Sequence, residues 1–286
     1  MVSGKEDRWF NAAVYTMLAL SGAAVIVPLL YVVSVSMTPI EQVLKNGGFI
    51  LVPHSLTFVA YEKLLGDTAL VRSLSVTVLI TVVGTVLNLL LTLLTAYPLS
   101  RKALPGRQVL LFLIVFTLIF SGGIIPTYLT VKAVGLLDTI WAMILPNVIW
   151  SFNVLIMKSF FSNLPEEMFD STQIDGAGEN RTLWQIVLPL SMPVMMTVGL
   201  FYLVSHWNEF FQAIMYVTDR EKFPLQVVVR EILMQTQQPL SNAESIVPTQ
   251  TMQMASVVLA SVPVILIYPF IQKKFTKGLL LGSVKG

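Results

Sequence analysis

Six long apolar segments, separated by shorter polar stretches, follow one another along the 286-residue chain. Within a few residues they cover 10–36, 73–99, 109–130, 139–161, 190–217 and 251–271. A helix that crosses a bilayer needs about 20 mainly apolar residues, because its backbone N–H and C=O groups find no water in hydrocarbon. Each segment is long enough for one crossing. The pattern therefore predicts an all-α, polytopic membrane protein with six transmembrane helices.

The first apolar segment and the connections agree with this interpretation. Residues 10–36 are longer than the apolar region of a cleavable signal peptide and are not followed by a clear small-residue cleavage site. We therefore expect this segment to be retained as the first helix. The polar stretches 101–107 and 134–138 contain the Gly, Pro or Asp residues that are typical of turns. They predict short connections between consecutive spans.

Composition points to lipid as the solvent and excludes several kinds of site. Hydrophobic residues make up 55% of the chain and charged residues only 12%, with a mean hydropathy of +0.76, whereas soluble domains carry about 25% charged residues. The formal net charge is +2 and the basic residues are scattered at span ends, so no nucleic-acid partner is expected. Cysteine is absent, which excludes disulfides, thiolate metal sites and cysteine nucleophiles.

The distribution of basic residues predicts the orientation in the membrane. If six spans alternate, the larger set falls on one side: Lys5, Arg8, Arg101, Lys102, Arg107, Arg181, Lys273, Lys274, Lys277 and Lys285. The smaller set falls on the other side: Lys45, Lys63, Arg72, Lys132, Arg220, Lys222 and Arg230. Lys and Arg accumulate on the cytoplasmic side of short loops. We therefore expect a multi-pass protein with both termini in the cytoplasm, and an extracytoplasmic loop over 218–250.

The stretch 163–190 lies on the predicted cytoplasmic side and has the pattern of a helical elbow. Pro165 and the acidic residues after it are suited to the first turn of a helix, where a missing N–H costs nothing and negative charge meets the positive end of the dipole. We expect that helix to end near Asp175. Gly176 and Gly178 then allow a turn with positive φ.

A second helix is predicted after that turn. Asn180 is suited to cap it, and Leu183, Trp184 and Ile186 would form its apolar side. Pro189 and Pro193 cannot donate the hydrogen bonds of a continuous helix, so the elbow should be separated from the fifth span.

This stretch resembles the EAA loop of permeases in binding-protein-dependent importers. The family pattern is roughly Glu-Ala-Ala, three residues, a glycine, about nine residues and an Ile-x-Leu-Pro ending. Gly176 matches the glycine, and Ile-Val-Leu-Pro at 186–189 matches the ending. Asp170-Ser171-Thr172 stands in place of Glu-Ala-Ala, which keeps an acidic residue followed by two small ones.

The resemblance extends over nearly the whole chain. Trp-Asn-Glu-Phe-Phe at 207–211, Tyr-Pro-Phe at 268–270 and the terminal residues 277–286 are similar to carbohydrate-uptake permeases related to the maltose importer. Residues 120–126 and 174–179 resemble the branch that imports alginate or pectin-type oligosaccharides.

The resemblance implies that the chain is a permease subunit of an ATP-driven ABC importer for an oligosaccharide in the bacterial cytoplasmic (inner) membrane, where it would form half of the translocation pathway. It also implies a fold and a set of partners. The expected fold is the type I ABC importer permease (MetI-like) fold, formed by a single transmembrane permease domain over 1–286. The expected partners are a second homologous permease, two ATP-binding cassette subunits, an extracytoplasmic solute-binding protein and an oligosaccharide. The loop 163–190 would couple to the ATPase through Asp170, Ser171, Thr172, Asp175, Gly176 and Ala177. The chain contains no phosphate-binding G-x-x-x-x-G-K-[ST] sequence, so ATP and magnesium would be bound by the partner ATPase, and we expect no enzymatic activity and no cofactor or metal in this chain.

Polar and aromatic residues within the spans are candidates for the substrate path. An amide or a charge in hydrocarbon is costly unless it is paired or hydrated. His206 and Glu209 are predicted to share a helix face near the outer end of the fifth span. The same groups are also suited to hydrogen bonds between helices, which is the commoner role of such groups, and Trp and Tyr are common interfacial anchors. The candidates are Asn88, Asn153, Tyr202, Trp207, Asn208 and Glu209.

Two other classes of protein remain as alternatives. An intramembrane enzyme is disfavoured, because the chain has two histidines, no cysteine and no HExxH or G-x-S-x-G sequence. A self-contained secondary carrier or channel for a polar solute would normally have ionisable groups near mid-membrane, whereas Lys158 and Glu209 lie close to span ends. Whether transport requires a separate ATPase distinguishes the carrier from the importer.

Overall fold

The computed structural model describes residues 5–174, 176–234 and 249–282. Within these ranges the regular structure is entirely helical, which agrees with the predicted all-α class. Asp175, Lys285 and the residues 235–248 of the predicted outer loop lie outside the described part of the chain. The chain forms two compact units, residues 1–71 with 228–262, and residues 72–227 with 263–286.

The first unit contains the amino-terminal helix and the segment that follows it. Its helices include α1 (Lys5–Ser36), α2 (Ile40–Lys45) and α3 (Val59–Gly66). Val35, Val43 and Ile50 are buried together and hold α2 and the following loop against the end of α1. Most of α1 is exposed along its length, as is typical of an apolar helix that faces lipid or a partner.

The second unit is arranged around α4 (Thr68–Ser100), a helix of 33 residues that is apolar on all sides. Leu93 and Ala96 on one side of α4 are buried in the core, whereas Val82 and Val86 are exposed. A helix with apolar residues both buried and exposed fits a membrane span, because the exposed side meets hydrocarbon rather than water.

The third apolar segment forms two helices instead of one. α5 (Arg107–Ile119) and α6 (Ile124–Ala133) are bent by 116° from each other. Gly123 precedes α6 with φ +86, a conformation that a residue with a Cβ rarely adopts. The prediction of one continuous span over 109–130 is therefore wrong in this respect.

The fourth apolar segment is also broken. Two 3₁₀ turns, Ile140–Met143 and Leu145–Asn147, precede α7 (Ser151–Ser162), and the two parts differ in direction by 51°. Pro146 lies in the second turn, where it cannot donate the backbone hydrogen bond of a regular α-helix. The span predicted over 139–161 is therefore regular α-helix only in its second half.

The elbow follows α7. It consists of α8 (Glu166–Ile174), α9 (Glu179–Thr182), a π turn (Leu183–Val187) and α10 (Leu188–Leu190). Gly178, not Asn180, precedes α9, so the predicted cap at Asn180 is wrong by two residues. The extended backbone at Gly178 leaves Asn180 inside the helix.

The fifth apolar segment begins with the predicted break. The elbow meets α11 (Met192–Trp207) at an angle of 81°, with Ser191 between the two prolines that predicted this interruption. α11 ends at Trp207, and α12 (Phe211–Tyr216) follows. Glu209 therefore lies in the connection, and the prediction that His206 and Glu209 share a helix face is wrong.

The remaining elements complete the apolar pattern. A 3₁₀ turn (Arg220–Lys222) and α13 (Leu225–Met234) follow α12, and α14 (Gln250–Gly282) ends the described chain. Among the described residues, three helices are long and apolar enough to cross a membrane, and the number rises to six if each bent pair is one span. The six predicted segments correspond to these elements.

Candidate functional site

Thr172 closes the elbow from inside. Its side chain is buried, and its hydroxyl donates to the Phe169 carbonyl oxygen at 2.7 Å. Thr182 Oγ1 of α9 donates to Thr172 Oγ1 at 3.4 Å, and the Ala177 N–H donates to the Thr172 carbonyl at 2.9 Å. Of the predicted coupling residues, Thr172 therefore stabilises the hairpin between α8 and α9.

The other described residues for which a coupling role is predicted lie at the surface of the elbow. Asp170, Ser171 and Gly176 are exposed, and Ala177 is half-buried. Gly176 has φ +71, and no atom lies within 4 Å of the position a Cβ would take. Glycine is therefore favoured there by backbone conformation rather than by a close neighbour.

The elbow is anchored to the end of α4 by residues that the sequence did not single out as functional. The Tyr97 hydroxyl donates a hydrogen bond to the Glu179 carboxylate at the start of α9. Arg101 Nη2 lies 3.8 Å from Glu179 Oε1, and the guanidinium of Arg101 lies 4.0 Å from the centre of the Phe169 ring of α8. The same carboxylate thus joins α9 to both Tyr97 and Arg101.

A second ion pair joins α8 to the connection after α4. Lys102 Nζ donates to Glu166 Oε1, and this bond holds the pKa of the Glu166 carboxyl below its usual value. Both side chains are largely exposed, so solvent screens the pair and its contribution to stability is small.

Ile174 is the apolar tip of the elbow. Its side chain is 87% exposed at the last residue of α8, immediately before the turn at Gly176. An isoleucine this exposed on a loop that is otherwise polar is suited to contact another protein. Ile174 lies within the predicted elbow, but the sequence alone does not show whether its side chain is exposed or buried.

A groove of about 810 Å³ lies between α7, α11 and the middle of α14. Two of the six substrate-path candidates, Asn153 and Asn208, line it. The lining is Trp150, Phe152, Asn153, Leu200, Phe201, Leu203, Val204, Ser205, Asn208, Val264 and Ile267.

Asn153 is the unusual member of this groove. It is 0% exposed, and neither its amide oxygen nor its amide nitrogen has a hydrogen-bond partner among the described residues. A buried amide without partners is costly. A ligand or water in the adjoining groove would satisfy the amide after a shift of the groove wall that exposes it, so Asn153 stays a candidate binding residue.

Asn88 instead forms hydrogen bonds within the protein. Its side chain is buried, and Nδ2 donates to His206 Nε2 at 3.2 Å and lies 3.4 Å from the Asn147 carbonyl oxygen. The groove does not reach it. Asn88 therefore joins α4 to α11 in the manner of an interhelical hydrogen bond.

Tyr202 also has a packing role in this structure. It is fully buried, its hydroxyl shares a hydrogen bond of 2.8 Å with Thr92 Oγ1, and the same oxygen accepts from the Trp150 N–H at 3.1 Å. Its ring lies 5.3 Å from that of Trp150, which lines the groove. Tyr202 thus positions the groove wall without forming it.

Trp207 and Glu209 are buried next to the end of α11 and do not line the groove. The Glu209 carboxylate accepts a hydrogen bond from the Gln212 N–H at 3.0 Å and so stabilises the first turn of α12. Of the residues that the structure describes, no three His, Asp or Glu residues come together in an arrangement that could hold a metal ion.

Comparison with known proteins identifies relatives over the full length. The chain is 44% identical to the polygalacturonan/rhamnogalacturonan transport system permease protein YtcP of Bacillus subtilis, with 98% of this chain and all of that protein covered. It is 42% identical to protein LplC of the same organism, with 100% of this chain and 98% of that protein covered.

A solved structure is similar over most of the chain as well. A chain from the crystal structure of a bacterial ABC transporter involved in the import of the acidic polysaccharide alginate superposes with a TM-score of 0.89 and 29% identity, over 96% of this chain and 99% of that one. The family described as the inner membrane component of binding-protein-dependent transport systems matches residues 89–280. The chain belongs to this family and is a permease subunit of an ABC importer.

Proposed function

We propose that this chain is one of two permease subunits in an ATP-driven importer for an acidic oligosaccharide of the pectin or alginate type. The names of its 44%-identical relative and of the similar transporter structure both refer to acidic polysaccharides. The proposed complex contains a second permease, two ATPase subunits and an extracytoplasmic solute-binding protein. This chain would have no ATPase activity of its own.

The elbow is the proposed contact with the ATPase, and its geometry is the observation that carries the proposal. Ile174 projects from the end of α8, while Tyr97 and Arg101 hold the base of the elbow at Glu179. A protruding tip on an anchored base can transmit force, because movement of the tip must move the end of α4. The coupling residues therefore fall into two groups: Asp170, Ser171, Ile174, Gly176 and Ala177 at the contact surface, and Thr172 inside the hairpin. Asp175 belongs to the same loop by sequence.

The proposed orientation places the elbow in the cytoplasm, together with both chain termini. Basic residues line a groove at the base of the elbow, among them Arg101, Lys102 and Arg107. This placement supports a cytoplasmic elbow, because basic residues accumulate on the cytoplasmic side of membrane proteins. The residues 218–250 would then face the solute-binding protein. In this orientation, ATP binding would move the elbow and alternate the access of the substrate path between the two sides.

The groove beside α11 is the proposed contribution of this chain to the substrate path. Asn153, Ser205 and Asn208 offer hydrogen-bonding groups, and Phe152 is 56% exposed and suited to stack on a sugar ring. None of the residues lining the groove is charged. We therefore propose that this wall binds sugar hydroxyls and ring faces, and that the carboxylates of the substrate are neutralised elsewhere along the path.

ATPase activity of the reconstituted complex tests the coupling role. Addition of sugar-loaded binding protein should stimulate hydrolysis in the wild type, and Ile174→Ala should reduce that stimulation while the complex still assembles. Val134→Ala is a matched control, because Val134 is an exposed apolar residue, 62% accessible, on a different loop. Gly176→Pro should abolish stimulation, because proline cannot adopt φ +71.

Two results would contradict the proposal. Equal stimulation in Ile174→Ala, Gly176→Pro and wild type would exclude the elbow as the coupling element. Oligosaccharide uptake into vesicles that contain this permease but no ATPase would favour a secondary carrier.

A further inference from the structure

A second groove, which we call the basic groove, lies at the base of the elbow. Its volume is about 320 Å³. The charged residues that line it are Arg101, Lys102, Arg107, Lys158, Glu166 and Asp170. Four cations and two acids leave an excess of positive charge where α4, α5, α7 and α8 meet.

Two of the four cations are engaged within the protein. Arg101 contacts Glu179 and Phe169, and Lys102 pairs with Glu166. The charges of both side chains are therefore already paired in contacts that attach the elbow to the end of α4.

The other two cations have unused hydrogen-bonding capacity. Arg107 donates through Nε to the Leu99 carbonyl oxygen at 2.8 Å, and its terminal guanidinium nitrogens have no partner in the described part of the chain. Lys158 has neither a hydrogen bond nor an ion pair with any described residue. Both side chains are half-buried, which removes part of their hydration. A partly desolvated cation without a counter-ion is costly, so an anion from outside the chain would stabilise the pair.

The position of this pair favours a lipid as the source of the anion. Arg107 begins α5 and Lys158 lies four residues before the end of α7, so both are at span ends. Val109, Phe112 and Phe116 follow on α5 as a stripe of exposed apolar side chains. This arrangement offers cations to a headgroup and an apolar surface to acyl chains.

We propose that the basic groove binds the phosphate of an anionic phospholipid, with Lys158 and the free end of the Arg107 guanidinium as its ligands. A guanidinium fork matches phosphate geometry, and an ammonium supplies a point charge. The site lies on the proposed cytoplasmic side, where anionic lipids attract basic segments. Glu166 in the same groove is already paired with Lys102, so only Asp170 would compete with the phosphate for the two cations.

Native mass spectrometry of the purified complex tests this site with phosphatidylglycerol and phosphatidylcholine as probes. The wild type should retain phosphatidylglycerol in preference to phosphatidylcholine. Lys158→Gln should lower that retention about fivefold, the effect of one cation near a membrane surface. Lys158→Arg should retain as much phosphatidylglycerol as the wild type, because it keeps the charge. This variant distinguishes loss of charge from misfolding as the cause of weaker binding.

Lys132→Gln is the matched control, because Lys132 is an exposed lysine at the end of α6, outside the basic groove. Unchanged retention in Lys158→Gln, or an equal loss in Lys132→Gln, would overturn the proposal. Displacement of phosphatidylglycerol by millimolar inorganic phosphate would assign the site to a free anion. Loss of ATPase subunits from Lys158→Gln with lipid retention intact would instead identify a protein contact.

Discussion

Gly84 of α4 lies directly against the imidazole ring of His206 on α11. A Cβ at position 84 would lie 2.5 Å from His206 Nε2 and 2.8 Å from the two adjoining ring carbons. The ring cannot easily move away, because it is buried and accepts the hydrogen bond from Asn88. Glycine at 84 therefore permits the close approach of the two helices, as small residues do at helix contacts in membranes.

Replacement of Gly84 by alanine should destabilise the protein. Inserting a methyl group into a packed contact costs about 1–3 kcal/mol, and the hydrogen bond to Asn88 would be strained at the same time. The measurement is thermal unfolding of the purified chain in detergent. Because His206 is the obstacle, Gly84→Ala should cost less in a His206→Ala background than in the wild type.

Gly22→Ala is the control for that experiment. Gly22 lies in α1, and no atom lies within 4 Å of its Cβ position. Alanine has the higher helix propensity, so this change should leave the melting temperature equal or raise it. A cost of Gly84→Ala that is the same with and without His206 would contradict the proposed contact.

Removal of the Tyr97 hydroxyl should uncouple the elbow without unfolding it. Tyr97→Phe keeps the ring, which packs edge-on against Phe161 at 6.3 Å, and deletes only the bond to Glu179. We expect assembly to be unchanged and the stimulation of ATPase activity by loaded binding protein to fall. The measurement is the ratio of stimulated to basal hydrolysis.

Tyr128→Phe is the matched control for Tyr97→Phe. The Tyr128 ring stacks on Tyr216 at 6.1 Å in α6 and α12, away from the elbow. Its hydroxyl should be dispensable for coupling. An equal fall in both variants, or none in Tyr97→Phe, would show that the bond to Glu179 does not anchor the elbow.

The sequence predicted the apolar spans better than their interruptions. A long apolar run indicates a membrane span, and the indication is strong because about 20 residues contribute to it. The break at Ser191 was predicted because two prolines flank it. The breaks at Gly123 and Pro146 were missed, because a single Gly or Pro in an apolar run is also compatible with a continuous membrane helix.

The candidate site was predicted in part for a similar reason. The turn at Gly176 follows from local backbone chemistry, so the sequence was sufficient there. The bond between Tyr97 and Glu179 joins residues 82 positions apart and depends on tertiary packing. Asn88 and Asn153 are both asparagines within apolar segments. Asn88 is hydrogen-bonded within the protein, whereas the Asn153 amide is unpaired beside the groove.

Asn153→Ala should impair transport more than stability. The wild-type amide has no partner among the described residues, so its removal should leave the melting temperature unchanged or raise it, because an unsatisfied buried group is lost. If the amide binds sugar, the concentration of loaded binding protein that gives half-maximal uptake should rise, or the maximal rate should fall, about tenfold.

Asn88→Ala should show the opposite pattern, because it deletes the hydrogen bond to His206. We expect a lower melting temperature and a smaller change in uptake per folded complex. The two measurements together separate a substrate contact from a packing residue. An Asn153→Ala variant that melts lower than wild type and transports normally would remove Asn153 from the substrate path.

Asp138 joins two loops of the second unit and should make stability depend on pH in acid. Asp138 has a backbone φ of 58°. Its Oδ1 accepts hydrogen bonds from the Asp219 N–H at 2.9 Å and the Thr218 N–H at 3.0 Å. These bonds, in that order of effect, lower the pKa of the Asp138 carboxyl below its usual value, and Lys222 adds to the shift. The carboxylate therefore contributes stability that is present above the unfolded pKa of about 3.9 and is lost as pH falls through the folded pKa.

Asp138→Asn should flatten the acid side of this stability profile. The asparagine oxygen can accept the same two hydrogen bonds, and asparagine tolerates positive φ, so the fold should persist. Melting temperatures measured between about pH 2 and 5 should fall less steeply in Asp138→Asn than in the wild type. Asp138→Ala should melt lower at every pH, because it loses both bonds and places alanine at a strained φ. An acid slope in Asp138→Asn as steep as that of the wild type would assign the pH dependence to other carboxyls.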